Sequence, residues 1–60
     1  MILAVRKNDG AVFEQFACDG LAPIIYVRDL NGNEFTVYDR DYKVIFPENP
    51  KYEEYLKARV

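Results

Sequence analysis

Sixty residues make one domain at most, and a chain this short buries only about 60% of the surface its unfolded form exposes, so its core must be thin. Half of the residues are apolar, with five tyrosines and four phenylalanines, which excludes a disordered tail. Eight basic and ten acidic residues are interspersed at a net charge of −2, which leaves no basic stripe of the kind that general nucleic-acid binding requires.

The opening Met1-Ile2-Leu3-Ala4-Val5 is β-branched and aliphatic, and Asn8-Asp9-Gly10 supplies turn chemistry after it, so Met1 to Lys7 reads as a first strand. Arg6 and Lys7 follow this short apolar run, whereas a secretory signal places its charges before a longer one, and nothing approaches the ~20 apolar residues of a membrane span. A cytoplasmic protein with a reduced Cys18 and no membrane partner is the expectation. Ala11 to Cys18 fits either element. Phe13, Phe16 and Ala17 fall at helical spacing between Asp9 as N-cap and Gly20, and the same residues can form a second strand.

Pro23 ends that segment, and Ile24 to Leu30, Asn31-Gly32, then Asn33 to Arg40 form the clearest hairpin in the chain. A two-residue Asn31-Gly32 loop would set Arg28 against Phe35 and Tyr26 against Val37, mixing charged and apolar residues on each face. A three-residue loop, Leu30-Asn31-Gly32, with Gly32 left-handed and a bulge, instead pairs Val27 with Phe35 and Ile25 with Val37. One face is then wholly apolar. The other carries Arg28 opposite Glu34, Tyr26 opposite Thr36 and Ile24 opposite Tyr38, all favourable cross-strand neighbours. This second register is the predicted one.

Asp39-Arg40-Asp41 is a polar break suited to a tight turn, and Tyr42 to Phe46 resumes as a short strand stopped by Pro47. Asn49 as N-cap, Pro50 in the first helical position, Glu53 and Glu54 early and Lys57 and Arg59 late predict a C-terminal helix over about residues 49–59. Tyr52, Tyr55 and Leu56 share its face. A helix this short is marginal alone and must dock. Two arrangements are open: the helix lies across Ile24, Tyr26 and Tyr38 as a second small core, or it leaves them exposed. In the first case a contact site would fall elsewhere, for instance on Ala11 to Pro23.

The residue inventory restricts chemistry sharply. With no His and no Ser, and Thr36 as the only Thr, neither a Ser-His-Asp nor a Cys-His arrangement can be built. The usual zinc sets fail for the same reason, the one cysteine permits no internal disulfide, and the three glycines lie in separate turns rather than a phosphate-cradling loop. Asp39 and Asp41 read as a solvated charged turn beside Arg40 and Lys43. Cys18 next to Asp19 has no neighbouring cation to lower its pKa, and reads as a buried or half-buried structural thiol. The chain is expected to be no enzyme and to need no cofactor or metal.

The stretch Phe35-Thr-Val-Tyr-Asp-Arg-Asp-Tyr-Lys-Val-Ile-Phe46 resembles the strand, one-turn and last-strand ending of SH3-like small barrels, a likeness of ordering with no motif matched residue by residue. The predicted fold is mainly β: a small SH3-like barrel or a strongly bent antiparallel sheet of four to five short strands, with a short C-terminal helix, as a single domain over 1–60. Tyr and Arg are the types that contact sites favour, which singles out Tyr26, Arg28, Tyr38, Arg40 and Tyr42 as partner-binding candidates. The expected function is a small protein-binding module or regulator, an inhibitor or accessory subunit. Alternatives are selective nucleic-acid binding, with tyrosines stacked on bases, and a homo-oligomeric structural subunit.

Overall fold

β-Branched and aromatic residues dominate five segments of the chain, and each is a strand in the computed structural model, which describes all residues 1–60. The strands are β1 (Ile2–Arg6), β2 (Val12–Cys18), β3 (Ile24–Arg28), β4 (Glu34–Tyr38) and β5 (Tyr42–Ile45), followed by one helix, α1 (Tyr52–Lys57). A one-turn 3-10 helix over Asp39–Asp41 joins β4 to β5 at the predicted polar break. All pairings are antiparallel, in the order β4-β3-β2-β1-β5. The end strands β4 and β5 do not pair, so the sheet is open and the closed-barrel form of the expectation is not realised.

The ambiguous segment Ala11 to Cys18 resolves as strand, at the centre of the sheet. Its pairing with β3 shifts between Gln15 and Ala17, the signature of a β-bulge. The hairpin adopts the predicted register throughout, with Val27 opposite Phe35, Ile25 opposite Val37, Tyr26 opposite Thr36 and Arg28 opposite Glu34. Gly32 lies at φ +86°, a conformation that Cβ-bearing residues rarely adopt. Asp29 fixes the loop from inside: one carboxylate oxygen accepts from the Asn31 and Asn33 amides, each at 2.9 Å, and the other from Asn33 Nδ2 at 3.1 Å. Asn33, through its side chain first, holds the Asp29 carboxyl below the usual range.

The sheet is cupped. Phe13 on β2 meets Phe35 of β4 at 6.2 Å and Tyr42 of β5 at 6.1 Å, both edge-on, although each of those strands lies two places away. Ala4, Phe13, Ile25, Val27 and Tyr42 form the core of this concave face. On the convex face Leu3, Val12 and Ile45 form a second core, closed by Val5 and by Tyr52, Tyr55 and Leu56 of α1. The helix therefore docks over β1, β2 and β5 and not over the hairpin, which overturns the arrangement in which it covers Ile24, Tyr26 and Tyr38.

The helix is also shorter than the predicted 49–59. Asn49 opens a preceding turn, its side chain accepting from the Lys51 amide at 2.8 Å and its carbonyl from Tyr52 N–H at 2.9 Å. Beyond Lys57 the backbone is drawn into the sheet: Arg59 bridges Val12, and Val60 N–H donates to the Val12 carbonyl at 3.0 Å. The Tyr52 hydroxyl donates to the Met1 carbonyl at 2.7 Å, fastening the helix to the start of β1.

At the β1–β2 turn, Arg6 Nε and Nη2 donate to the two Asp9 oxygens at 3.0 and 2.7 Å, and the Ala11 amide donates to Asp9 at 3.0 Å. These bonds, Arg6 first and Ala11 next, lower the Asp9 carboxyl from 3.8 to about 2. A folded-state pKa below the unfolded value stabilises the protein fully above 3.8, and that contribution is lost as pH falls through about 2. Wild type should therefore lose thermal stability more steeply over that interval than Asp9→Asn, compared by circular-dichroism melts at matched pH. Parallel decline of the two proteins would remove Asp9 from the acid response.

Candidate functional site

Alternation along β3 and β4 sends Tyr26, Arg28, Glu34, Thr36 and Tyr38 to the convex face, beside the ground occupied by α1. Strict alternation from Val12 sends Glu14 and Phe16 the same way, and the bulge turns Ala17 outward as well, opposite Tyr26. The result is a surface in which Phe16 and Tyr26 lie ring to ring at 6.3 Å and the Arg28 guanidinium carbon stands 4.4 Å from the centre of Phe16.

Arg28 is oriented by carboxylates on both sides. Its Nη2 donates to Glu34 at 2.7 Å, and Glu14 lies 3.9 Å from its Nη1. Glu34, the closer partner, raises the Arg28 pKa further. Glu14 is shared with Arg59, at 3.6 Å, which brings the C-terminal segment to the border of this surface. At the other border Arg40, carried by the 3-10 turn, lies 4.9 Å from the centre of the Tyr38 ring. Tyr38 is 52% exposed and Phe16 39%, high values for aromatic residues in a chain with so little core to spend them on.

Four of the five candidate residues, Tyr26, Arg28, Tyr38 and Arg40, thus come together on or beside one face. Tyr42 does not share that face, although it lines one cleft with Tyr38 and Arg40. Its pairing with Arg6 puts it on the concave side, where it is 7% exposed and packs against Phe13. The residue the candidate set lacked is Phe16, and the signal for it was plain alternation from Val12 once the segment is read as a strand.

A cleft of about 460 Å³ opens where β4 and β5 fail to meet. Arg6, Lys7 and Tyr42 form one wall, and Thr36, Tyr38 and Arg40 the other. β1 and β4 lie three places apart in the sheet, about 14 Å if it were flat, so this shared cleft is a direct result of the cupping. Arg6 is committed to Asp9, whereas Lys7 and Arg40 have no carboxylate within salt-bridge distance.

No group of three or more His, Cys, Asp or Glu side chains is arranged to hold a metal ion, and no helix is long and apolar enough to cross a membrane. Cys18 is free and exposed, against the expectation of an interior thiol, because it ends β2 just before the Asp19–Pro23 loop. Compared with known proteins, the chain matches no family, no curated protein and no solved structure.

Proposed function

We propose that this chain is a small, non-catalytic protein-binding module, a regulator of the inhibitor or accessory-subunit kind. It acts through the half of the convex face that α1 leaves open. Phe16 and Tyr38 are its apolar anchors, with Tyr26 beside Phe16, and Arg28 and Arg40 supply directional polar contacts. The observation that carries this reading is the position of α1. The helix satisfies its own apolar face on Leu3, Val12 and Ile45, and the neighbouring aromatic surface remains in solvent. Rigid aromatic and Arg side chains grouped at one patch are what binding hot spots are made of.

Further support comes from the scaffold. The strand order, with a one-turn 3-10 helix between β4 and β5, favours an SH3-like arrangement whose β4–β5 seam is unclosed. Such folds often serve as contact modules, although fold alone does not fix function. An inventory without His or Ser argues for the non-catalytic part, and a free Cys18 fits a reducing, cytoplasmic setting. Nucleic acid is the weaker reading, because the chain carries a net charge of −2 and Glu14 and Glu34 flank Arg28 on this face.

Affinity capture with matched baits tests the proposal. A protein retained by wild type should be retained at least about tenfold less by Tyr38→Ala and by Phe16→Ala, and equally well by Leu21→Ala, which alters a fully exposed loop residue outside the patch. Unchanged retention by both aromatic variants, with their circular-dichroism spectra intact, would overturn it.

A further inference from the structure

The outer edge of β4 is less protected than that of β5, although its Thr36 and Tyr38 face Arg6, Lys7 and Tyr42 across the open cleft. Edge strands are ordinarily blunted by Pro, by Lys, by a bulge or by a covering element. β5 carries Lys43 and stops at Pro47, whereas β4 reads Glu34-Phe-Thr-Val-Tyr38 and pairs with β3 without a break. Its outward backbone groups can be assigned. Asp29 N–H donates to the Asn33 carbonyl and Asp39 N–H to the Pro23 carbonyl, so by antiparallel alternation the exchanging pairs between them are Val27 with Phe35 and Ile25 with Val37. Glu34, Thr36 and Tyr38 therefore turn their N–H and C=O groups away from the sheet.

We propose that a second copy of this chain occupies that edge, antiparallel, about a twofold axis at Thr36. The strand is complementary to itself in this register. Glu34 exchanges backbone hydrogen bonds with Tyr38 of the other copy and Thr36 with its own counterpart, so each outward group on β4 finds a partner. On the concave side Phe35, 46% exposed in the single chain, comes to lie beside Val37 of the other copy. On the convex side Thr36 meets Thr36, a favourable cross-strand pair, and Glu34 meets the Tyr38 ring that Arg40 overlies. Opposite charges are thereby brought together twice, and no like charges face one another.

This inference goes beyond the convex-face reading, since its contacts are chiefly backbone groups of the edge. The two fail separately: one is read by the oligomeric state of the pure protein, the other by capture of a different protein. The mode is the ordinary one of strand addition at an open sheet edge. A five-residue strand buries less than a standard interface, so exchange between monomer and dimer is expected on the order of tens of micromolar.

Sedimentation velocity from about 5 to about 500 μM should show wild type passing from monomer to dimer across that range. Thr36→Pro should stay monomeric with an unchanged circular-dichroism spectrum, because the Thr36 N–H that proline removes points outward and bonds nothing within the chain. Should that variant fold poorly, a covalent test decides. Hydrogen-bonded antiparallel partners lie about 5.5 Å apart at Cα, within disulfide range. The chain with Cys18→Ala and Thr36→Cys should therefore form a linked dimer under mild oxidation, and wild type, with Cys18 alone, should not.

Three results would each overturn the proposal. Wild type could remain monomeric throughout; Thr36→Pro could dimerise as wild type does; the Thr36→Cys chain could fail to cross-link. Amides of Glu34, Thr36 and Tyr38 that gain exchange protection only on addition of a different protein would assign the edge to a foreign strand and would equally refute a second copy.

Discussion

Replacing Phe13 with alanine should leave the chain largely unfolded at 25 °C. Phe13 is 6% exposed at the centre of the concave face, edge-on to Phe35 and Tyr42, with the Arg6 guanidinium carbon 5.3 Å from its ring centre. Truncating a buried Phe to Ala costs about 3–5 kcal/mol through lost transfer energy and the cavity left behind. A core in a chain of this size rarely supplies more than about 3–5 kcal/mol in all. The two quantities are equal in scale, so the outcome is loss of the fold rather than a lowered midpoint. Urea titration followed by far-ultraviolet circular dichroism checks this, with Phe13→Leu expected to retain a cooperative transition. If Phe13→Ala unfolds cooperatively near the wild-type midpoint, the concave cluster is not the stabilising centre.

Leu3→Ala should have the next largest effect, about 2–5 kcal/mol, and a different character. Leu3 is fully buried on the convex side and meets Val12, Ile45 and the docked helix residues. With six residues, α1 has no stability of its own. Removing Leu3 opens the surface on which it rests, so helix amides from Tyr55 to Ala58 should lose hydrogen-exchange protection well before those of β3. Ile45→Val, at the same site, should cost only about 0.5–1.5 kcal/mol and leave the helix protected. Equal loss of protection in helix and sheet for Leu3→Ala would mean that the two cores unfold as one unit.

The parts of the fold legible in the sequence were those settled by near neighbours. In the hairpin, apolar alternation, the Arg28–Glu34 pairing and one glycine with a positive φ all select the same register, and Arg28 meets Glu34 at 2.7 Å. Strand β2 is the counter-example. Phe13 faces the concave side and plain alternation sends Phe16 to the other, where the bulge, by inserting a residue, keeps Ala17 as well. That extra residue reproduces the i, i+3, i+4 spacing of a helix, and no count over so few positions separates the two.

The candidate site was partly legible for the same reason. Tyr26, Arg28 and Tyr38 share a face because the hairpin register is local. Tyr42 belonged to the tyrosine set by composition alone. Its side is fixed by pairing with Arg6 across most of the chain, and nothing around Tyr42 encodes that choice. The resting place of α1 is equally non-local: Tyr52, Tyr55 and Leu56 would fit any apolar surface, and β1, β2 and β5 together provide the one they use.

The position of β1 between β2 and β5 sets an order of events in folding. β2, β3 and β4 can form as successive hairpins, each closing a short loop, but the second ladder of β1 must wait for Tyr42–Ile45 to be synthesised and brought back. Until then Ile2-Leu3-Ala4-Val5, without charge or proline, is itself a bare sheet edge. Closure over so much of the chain places the protein among slower-folding small domains, on the millisecond-to-second scale rather than microseconds. The same strand that completes both cores is thus open to wrong pairing on the way to the native state.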